Sequence, residues 1–285
     1  MNLILAFAIW CLAGVLVLAA ALHILDRLGR SGRAICDWLS AAPALDLVVF
    51  AFVHGPWIAG WVVWWRATDR SVGDFVALWG AALVSQALAL VLWAWVHEFM
   101  NPSARRGPRI VHTLNRKVGR WRNHVAVWWT ALAVPIFTLV RVGELVVYPP
   151  LTWIVHLPRY RTREWVNVSR QKFSGLVGHD LIWCLYCDWM TGVWSLGSEM
   201  LRNVESFWCP IRFLSPEKCE NCSVDFPDVD THWVGAPTSG SPEQGMQNVA
   251  DLLDKSYPGP GGVNAWFGHP VRLTVKGKDS GRSGA

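Results

Sequence analysis

Four long apolar stretches fill the first 157 residues, and they decide which solvent this chain can fold in. Residues 2–25 (NLILAFAIWCLAGVLVLAAALHIL) carry no charge. As a helix rising ~1.5 Å per residue, such a run reaches across the roughly 30 Å hydrocarbon core of a bilayer. It lacks a basic leading region and exceeds the apolar core of a secretory signal, so it is expected to remain as an anchor. The second stretch runs from Pro43 to Trp65 and the third from Phe75 to Phe99. Only the polar turn Arg66 to Asp74 separates them, which predicts an antiparallel hairpin. The fourth, 125–157, is interrupted by Pro135, by the pair Arg141 and Glu144, and by Pro149-Pro150. Proline lacks an amide hydrogen and clashes with the preceding turn, so a helix from Val125 is expected to stop at Tyr148, leaving 151–157 along the interface.

Composition agrees. Charged residues make up 16% of the chain, against about 25% for a soluble globule. Many of the 20 tryptophans lie near the ends of the apolar runs. Trp57, Trp61, Trp64 and Trp65 close the second, Trp93 and Trp95 close the third, and Trp121, Trp128 and Trp129 open the fourth. An apolar ring with one N–H donor suits the membrane–water boundary.

Residues 105–122 hold seven basic residues and no acid. Between two spans such a loop fixes orientation and meets anionic headgroups, so nucleic acid is not an expected partner. The loop after the first span carries Arg27, Arg30 and Arg33, whereas the hairpin turn carries only Arg66 and Arg70. The N-terminus is therefore expected outside a plasma (inner) membrane, with the first and third loops cytoplasmic. Hydropathy favours four full crossings. Arg159, Arg161, Arg163, Arg170 and Lys172 instead favour a cytoplasmic C-terminal region, and the reading leans that way.

Past residue 158 the character changes, and five of the seven cysteines follow. From Asp180 to Trp208 the pattern is that of an amphipathic helix, with Asp180 as its N-cap. One face carries Asp180, Cys184, Cys187, Asp188, Thr191, Ser195, Ser198, Glu199, Arg202 and Glu205; the other carries Trp189, Val193, Leu196 and Met200 among its apolar residues. Cys184 and Cys187 stand at i, i+3, so both sulfurs point the same way and can share one metal ion. Cys219 and Cys222 repeat that spacing after a Ser-Pro turn, and Cys209 lies just past the helix.

Two ligand sets fit. Cys184, Cys187, Cys219 and Cys222 form a four-sulfur site for zinc or an iron–sulfur centre. Alternatively Cys209, Cys219, Cys222 and His232 form a compact zinc site that leaves the helical pair free, and His179 can substitute in either. Disulfides are the competing use of these thiols in an oxidising compartment. Cys11 and Cys36 read as structural.

Ionisable groups at membrane depth are functional candidates. His54, before Gly55-Pro56 within the second span, can hold a haem or relay protons. His23, His97 and His124 are placed at one end of three spans, where two facing rings can also ligate haem. No P-loop, GxGxxG or HExxH motif is present.

The fold class expected is an all-α integral membrane protein of about four transmembrane segments, with an amphipathic helix and a small Cys-rich loop unit. The expected divisions are a helical membrane region at 1–157, a metal-binding unit at 158–235 and a loop-rich tail at 236–285. Functionally the chain reads as a thiolate metal protein, zinc favoured, that shapes a docking surface in a membrane assembly, with another membrane protein or a second copy as partner. The rival is a redox or electron-transfer subunit using an iron–sulfur centre, dithiol or haem. A third reading is a lipid-acting enzyme using His179, Asp180, Asp188 or Glu199, so the sequence leaves open whether the chain is an enzyme.

Overall fold

The computed structural model describes residues 3–173 and 175–208, together with the short strands Arg212–Leu214, Trp233–Gly235, Thr274–Val275 and Lys278–Asp279. It is mostly helical. In chain order its main helices are α1 (Leu3–Arg27), α2 (Gly29–Leu39), α3 (Ala44–Arg66), α4 (Val72–Met100), α5 (Ile110–Val118), α6 (Arg120–Ile154) and α7 (His179–Trp208). Four of them, α1, α3, α4 and α6, are long and apolar enough to cross a membrane. Between 6% and 22% of their most apolar windows is buried within the protein itself. Side chains such as Trp10, Leu139 and Phe99 stand 75%, 71% and 80% exposed, so much of the apolar surface of these helices is left uncovered by the protein itself.

The chain divides into two compact units, Met1–Val134 with Val166–Gly192, and Pro135–Trp165 with Val193–Ala285. In the first unit α1 and α4 run parallel, because Ser85 Oγ donates to the carbonyls of Ala8 and Ala81 while His23 meets Trp93 and His97 near the far ends of both helices. Leu78, Ala82, Ser85 and Ala89 form the buried stripe of α4. Small side chains let two helices approach closely, and Phe7 fills the remaining space against Leu78 and Ala82. The hairpin of α3 and α4 closes as the sequence predicts: Trp64 Nε1 donates to the Ser71 carbonyl, and its ring packs edge-on against Phe75. Ser71 caps α4 by accepting from the Asp74 amide at 3.0 Å.

Prolines inside the apolar runs do not stop the helices, which corrects the expectation for Pro149-Pro150. The α6 helix continues to Ile154, because residues Gly143–Val147 widen into a π-helical turn and the prolines enter the first turn of the segment that follows. The Tyr148 amide donates back to the Gly143 carbonyl across this wider turn, so the helix keeps its course as the two prolines, which have no amide hydrogen to donate, enter it. The same device precedes Pro56, where Phe50–His54 is π-helical. Gln86 of α4 donates its amide to both the Phe52 and Val53 carbonyls at 2.8 Å, and the Phe52 carbonyl is the one that an amide at position 56 would have served in an α-helix.

In the second unit, buried Arg141 and Glu144 pair at 2.5 Å on one turn of α6, so the two charges that interrupt this apolar run satisfy each other. Glu199 and Asn203 of α7 are buried, although the helical pattern puts Glu199 on a polar stripe. Asn203 donates to Tyr160 and, at 3.4 Å, to Tyr148, so polar groups on this face are paired rather than solvated. A Cβ on Gly197 would lie 2.6 Å from Val140 Cγ1 and 3.1 Å from Glu144 Oε1. Alanine elsewhere in a helix is better than glycine by ~1 kcal/mol, but here overpacking against a β-branched side chain costs about 1–3 kcal/mol. Gly197→Ala is therefore expected to lower the melting temperature in detergent; a higher one would show that α6 and α7 do not need this approach.

Candidate functional site

In the first unit, the last turn of α4 and the starts of α5 and α7 meet around Arg109. Its Nε donates to Asp180 Oδ2 at 2.8 Å, and its Nη2 donates to Glu98 Oε1 at 2.6 Å and to the Val177 carbonyl at 3.3 Å. The side chains of Arg109 and Asp180 are 2% and 4% exposed, so this ion pair has almost no water to compete with. Burial works against the guanidinium charge, but the Glu98 and Asp180 carboxylates outweigh it and hold Arg109 above its ordinary pKa.

Asp180 does not cap its own helix, which begins at His179. Its carboxylate caps α5 instead, accepting from the amides of Ile110 at 3.1 Å and Val111 at 2.9 Å. An anion at the N-terminus of α5 also complements the helix dipole. The neighbouring Arg109 guanidinium, 2.8 Å from Asp180 Oδ2, draws the carboxylate towards α5 rather than to the amides of α7.

Beside this centre four histidines form two ring pairs. His23 and His97 stack with ring centroids 5.1 Å apart, and His124 meets His179 edge-on at 5.3 Å. Trp93 Nε1 donates to His23 Nε2 at 2.6 Å, the Gly178 amide donates to His97 Nδ1 at 3.0 Å, and Trp183 Nε1 donates to His179 Nε2 at 3.1 Å. A ring nitrogen that accepts holds a lone pair, so these three imidazoles are neutral with the proton on the other nitrogen. Burial, and secondarily His124, push the pKa of His179 down, in agreement with that state. His54 lies apart from this group, on the π-helical turn of α3 and beside Phe50.

An open cleft of about 480 Å³ adjoins the group. One wall is apolar, from Val91, Ala94 and Trp95 of α4, with Trp128 also lining the space. Its polar lining comes from Glu98, His112, Asn115, Arg120, His124 and His179. The turn between α5 and α6 is set by Gly119 at φ 93°, a conformation that favours glycine, and by buried Asn123, which donates to Asn115 Oδ1 at 2.9 Å.

The helical thiols lie farther along α7. Cys184 is half-buried and Cys187 exposed, and both are free. Arg170 Nη1 sits 3.9 Å from Cys184 Sγ, and Arg170 Nε pairs with Asp188 at 3.1 Å. Asp188 Oδ2 also accepts from the amides of Ser169 and Arg170, fixing that loop against α7. The loop is anchored at its other end too, where Ala42 N donates to the Val166 carbonyl and Val168 N to that of Ser40. Burial pushes the Cys184 thiol up while Arg170 pulls the other way. Cys187 contacts Thr191 at 3.9 Å. Cys209, Cys219, Cys222 and His232 lie outside the described residues. Among the described residues no three His, Cys, Asp or Glu side chains form a metal-binding group.

Sequence reasoning counted Arg109 and Arg120 among loop charges and overlooked His112 and Asn115. One signal pointed towards the ion cluster: Glu98 is an acid at the end of an apolar span and needs a cation. Spacing alone does not choose among Arg105, Arg106 and Arg109. Comparison with protein-family models, with curated proteins and with solved structures yields no match.

Proposed function

We propose that this chain is an integral membrane protein that holds a metal ion, zinc favoured, through thiolates that begin at Cys184, and so shapes a docking surface in a membrane assembly. The observation that carries the reading is the placement of Cys184 and Cys187: two free thiols at i, i+3 on α7, one of them exposed. Buried cysteine that serves only packing is inert and apolar in its surroundings. This pair instead sits beside Arg170, Asp188 and Thr191. Two sulfurs leave a tetrahedral ion two ligands short. Cys219 and Cys222 supply the remaining two donors on this reading, with His179 as a substitute; in the alternative set Cys209, Cys219, Cys222 and His232 hold the ion and leave the helical pair free. The helices α1, α3, α4 and α6 cross a plasma membrane, with the basic loops on the cytoplasmic side. The partner is another membrane protein or a second copy of the chain.

Purified full-length protein in detergent is expected to be colourless and to contain about one zinc per chain. Cys184→Ser/Cys187→Ser and Cys219→Ser/Cys222→Ser should each remove most of it. Visible absorption near ~400 nm would move the assignment to an iron–sulfur or haem protein. Zinc content unchanged in both variants would end the thiolate reading.

A further inference from the structure

We infer that the histidine-lined cleft of the first unit binds the anionic headgroup of a phospholipid, with the upper part of the lipid chains against α4. The inference rests on reading the apolar helices as membrane spans and is independent of the thiolate site.

The cleft has the polarity of an amphiphile. Val91, Ala94 and Trp95 occupy successive turns of α4 and present an apolar wall that ends at Glu98. From Val91 to Glu98 is about 10 Å along a helix, enough for the glycerol region and the first methylenes of a chain. Trp95 is 66% exposed beside this wall, and an indole at that position suits the membrane–water boundary. Past the wall the lining becomes donor-rich, with Arg120, His112 and His124. Glu98 also lines the space, but its carboxylate is engaged by Arg109 at 2.6 Å. Among the described residues Arg120 has no ion-pair partner. A guanidinium and two imidazoles at the open end of an apolar slot match a phosphate ester, which offers several acceptors to a planar donor fork.

The surroundings point the same way. Ile110, Leu114 and Val118 recur every four residues on α5 and are 47%, 38% and 47% exposed, a stripe for a short helix lying in the interface. Arg116 and Lys117 stand exposed on the same helix, and Arg122 follows on α6. This charge and apolar pattern complements an anionic leaflet rather than a neutral one.

The test uses the full chain in nanodiscs of phosphatidylcholine, doped with a diazirine-bearing phosphatidic acid or with the same photolipid carrying a choline headgroup. Labelling mapped by mass spectrometry should fall on α4 near Val91–Trp95 and on the start of α6, and the acidic lipid should label about tenfold more than the choline lipid. Arg120→Ala/His124→Ala should abolish that preference, while Arg105→Ala/Arg106→Ala, which removes exposed charge away from the cleft, should keep it. Unchanged melting temperatures establish that both variants fold. Equal labelling by the two lipids, or loss of preference in both variants alike, overturns the site in favour of a diffuse basic surface. Displacement of the acidic lipid by millimolar inorganic phosphate overturns it in favour of a soluble ligand. Extraction of the chain from membranes by alkaline carbonate would overturn the membrane reading itself, separately from the site.

Discussion

Arg109→Ala is expected to destabilise the first unit by about 3–5 kcal/mol, the range for removing one member of a buried ion cluster. The loss follows from what stays behind. Asp180, almost wholly buried, would keep the amides of Ile110 and Val111 but lose its countercharge, and Glu98 would lose the partner that neutralises it. Lysine should not rescue. The guanidinium reaches Asp180 through Nε, and Glu98 and the Val177 carbonyl through Nη2, a fork that a single ammonium on a flexible stem does not reproduce. Thermal unfolding in detergent, followed by tryptophan fluorescence, measures the effect. A melting temperature for Arg109→Ala within a degree or two of the native value would mean that the cluster does not hold these helices together.

Recognition of the helices from sequence succeeded where the signal was local. Uniform apolar runs such as 2–25 can satisfy their backbone in lipid only as helices, and the turn from Arg66 to Asp74 is too short for anything but a hairpin. Events inside the runs were less legible. Whether Pro149-Pro150 ends a helix depends on a preceding turn that widens, and whether Pro56 is tolerated depends on Gln86 arriving from a neighbouring helix. Neither is encoded near the proline. Helix α2 was overlooked altogether, because Arg30 and Arg33 register as loop charge until a helical period is imposed on them.

At the candidate site the difficulty was one of partner choice. The histidines His23, His97 and His124 were placed at one end of the spans because they sit at span boundaries, but the pairing of His124 with His179 needs the start of α7 to lie beside that of α6. Asp180 illustrates the same limit. An acid at the beginning of an amphipathic helix has the right chemistry for a cap, and the sequence does not say that the amides it caps are 70 residues earlier. The thiolate set spans residues on both sides of Trp208, and its later members lie outside the described residues.

Gly178→Ala should rival Arg109→Ala in severity, through backbone geometry rather than lost charge. Gly178 has φ 55°, in the left-handed region. A side chain there costs ~1–2 kcal/mol before any contact is considered. The added Cβ would also lie 2.7 Å from the Ala94 carbonyl oxygen, and closer still to the Glu98 side chain. Glu98 can swing away only by leaving Arg109, and the Ala94 carbonyl is held in the body of α4. Displacement of residue 178 would further break the hydrogen bond that its backbone N–H donates to His97 Nδ1 and shift the start of α7, so His179 and Asp180 would leave their places together. The sum is about 3 kcal/mol or more. A double-mutant cycle with Glu98→Ala separates the causes: truncating Glu98 should recover only the share due to that side chain, leaving the strain and the Ala94 contact. If Gly178→Ala melts with the native protein in either background, the close approach of residue 178 to α4 is wrong, and with it the geometry that brings Arg109, Glu98 and Asp180 together.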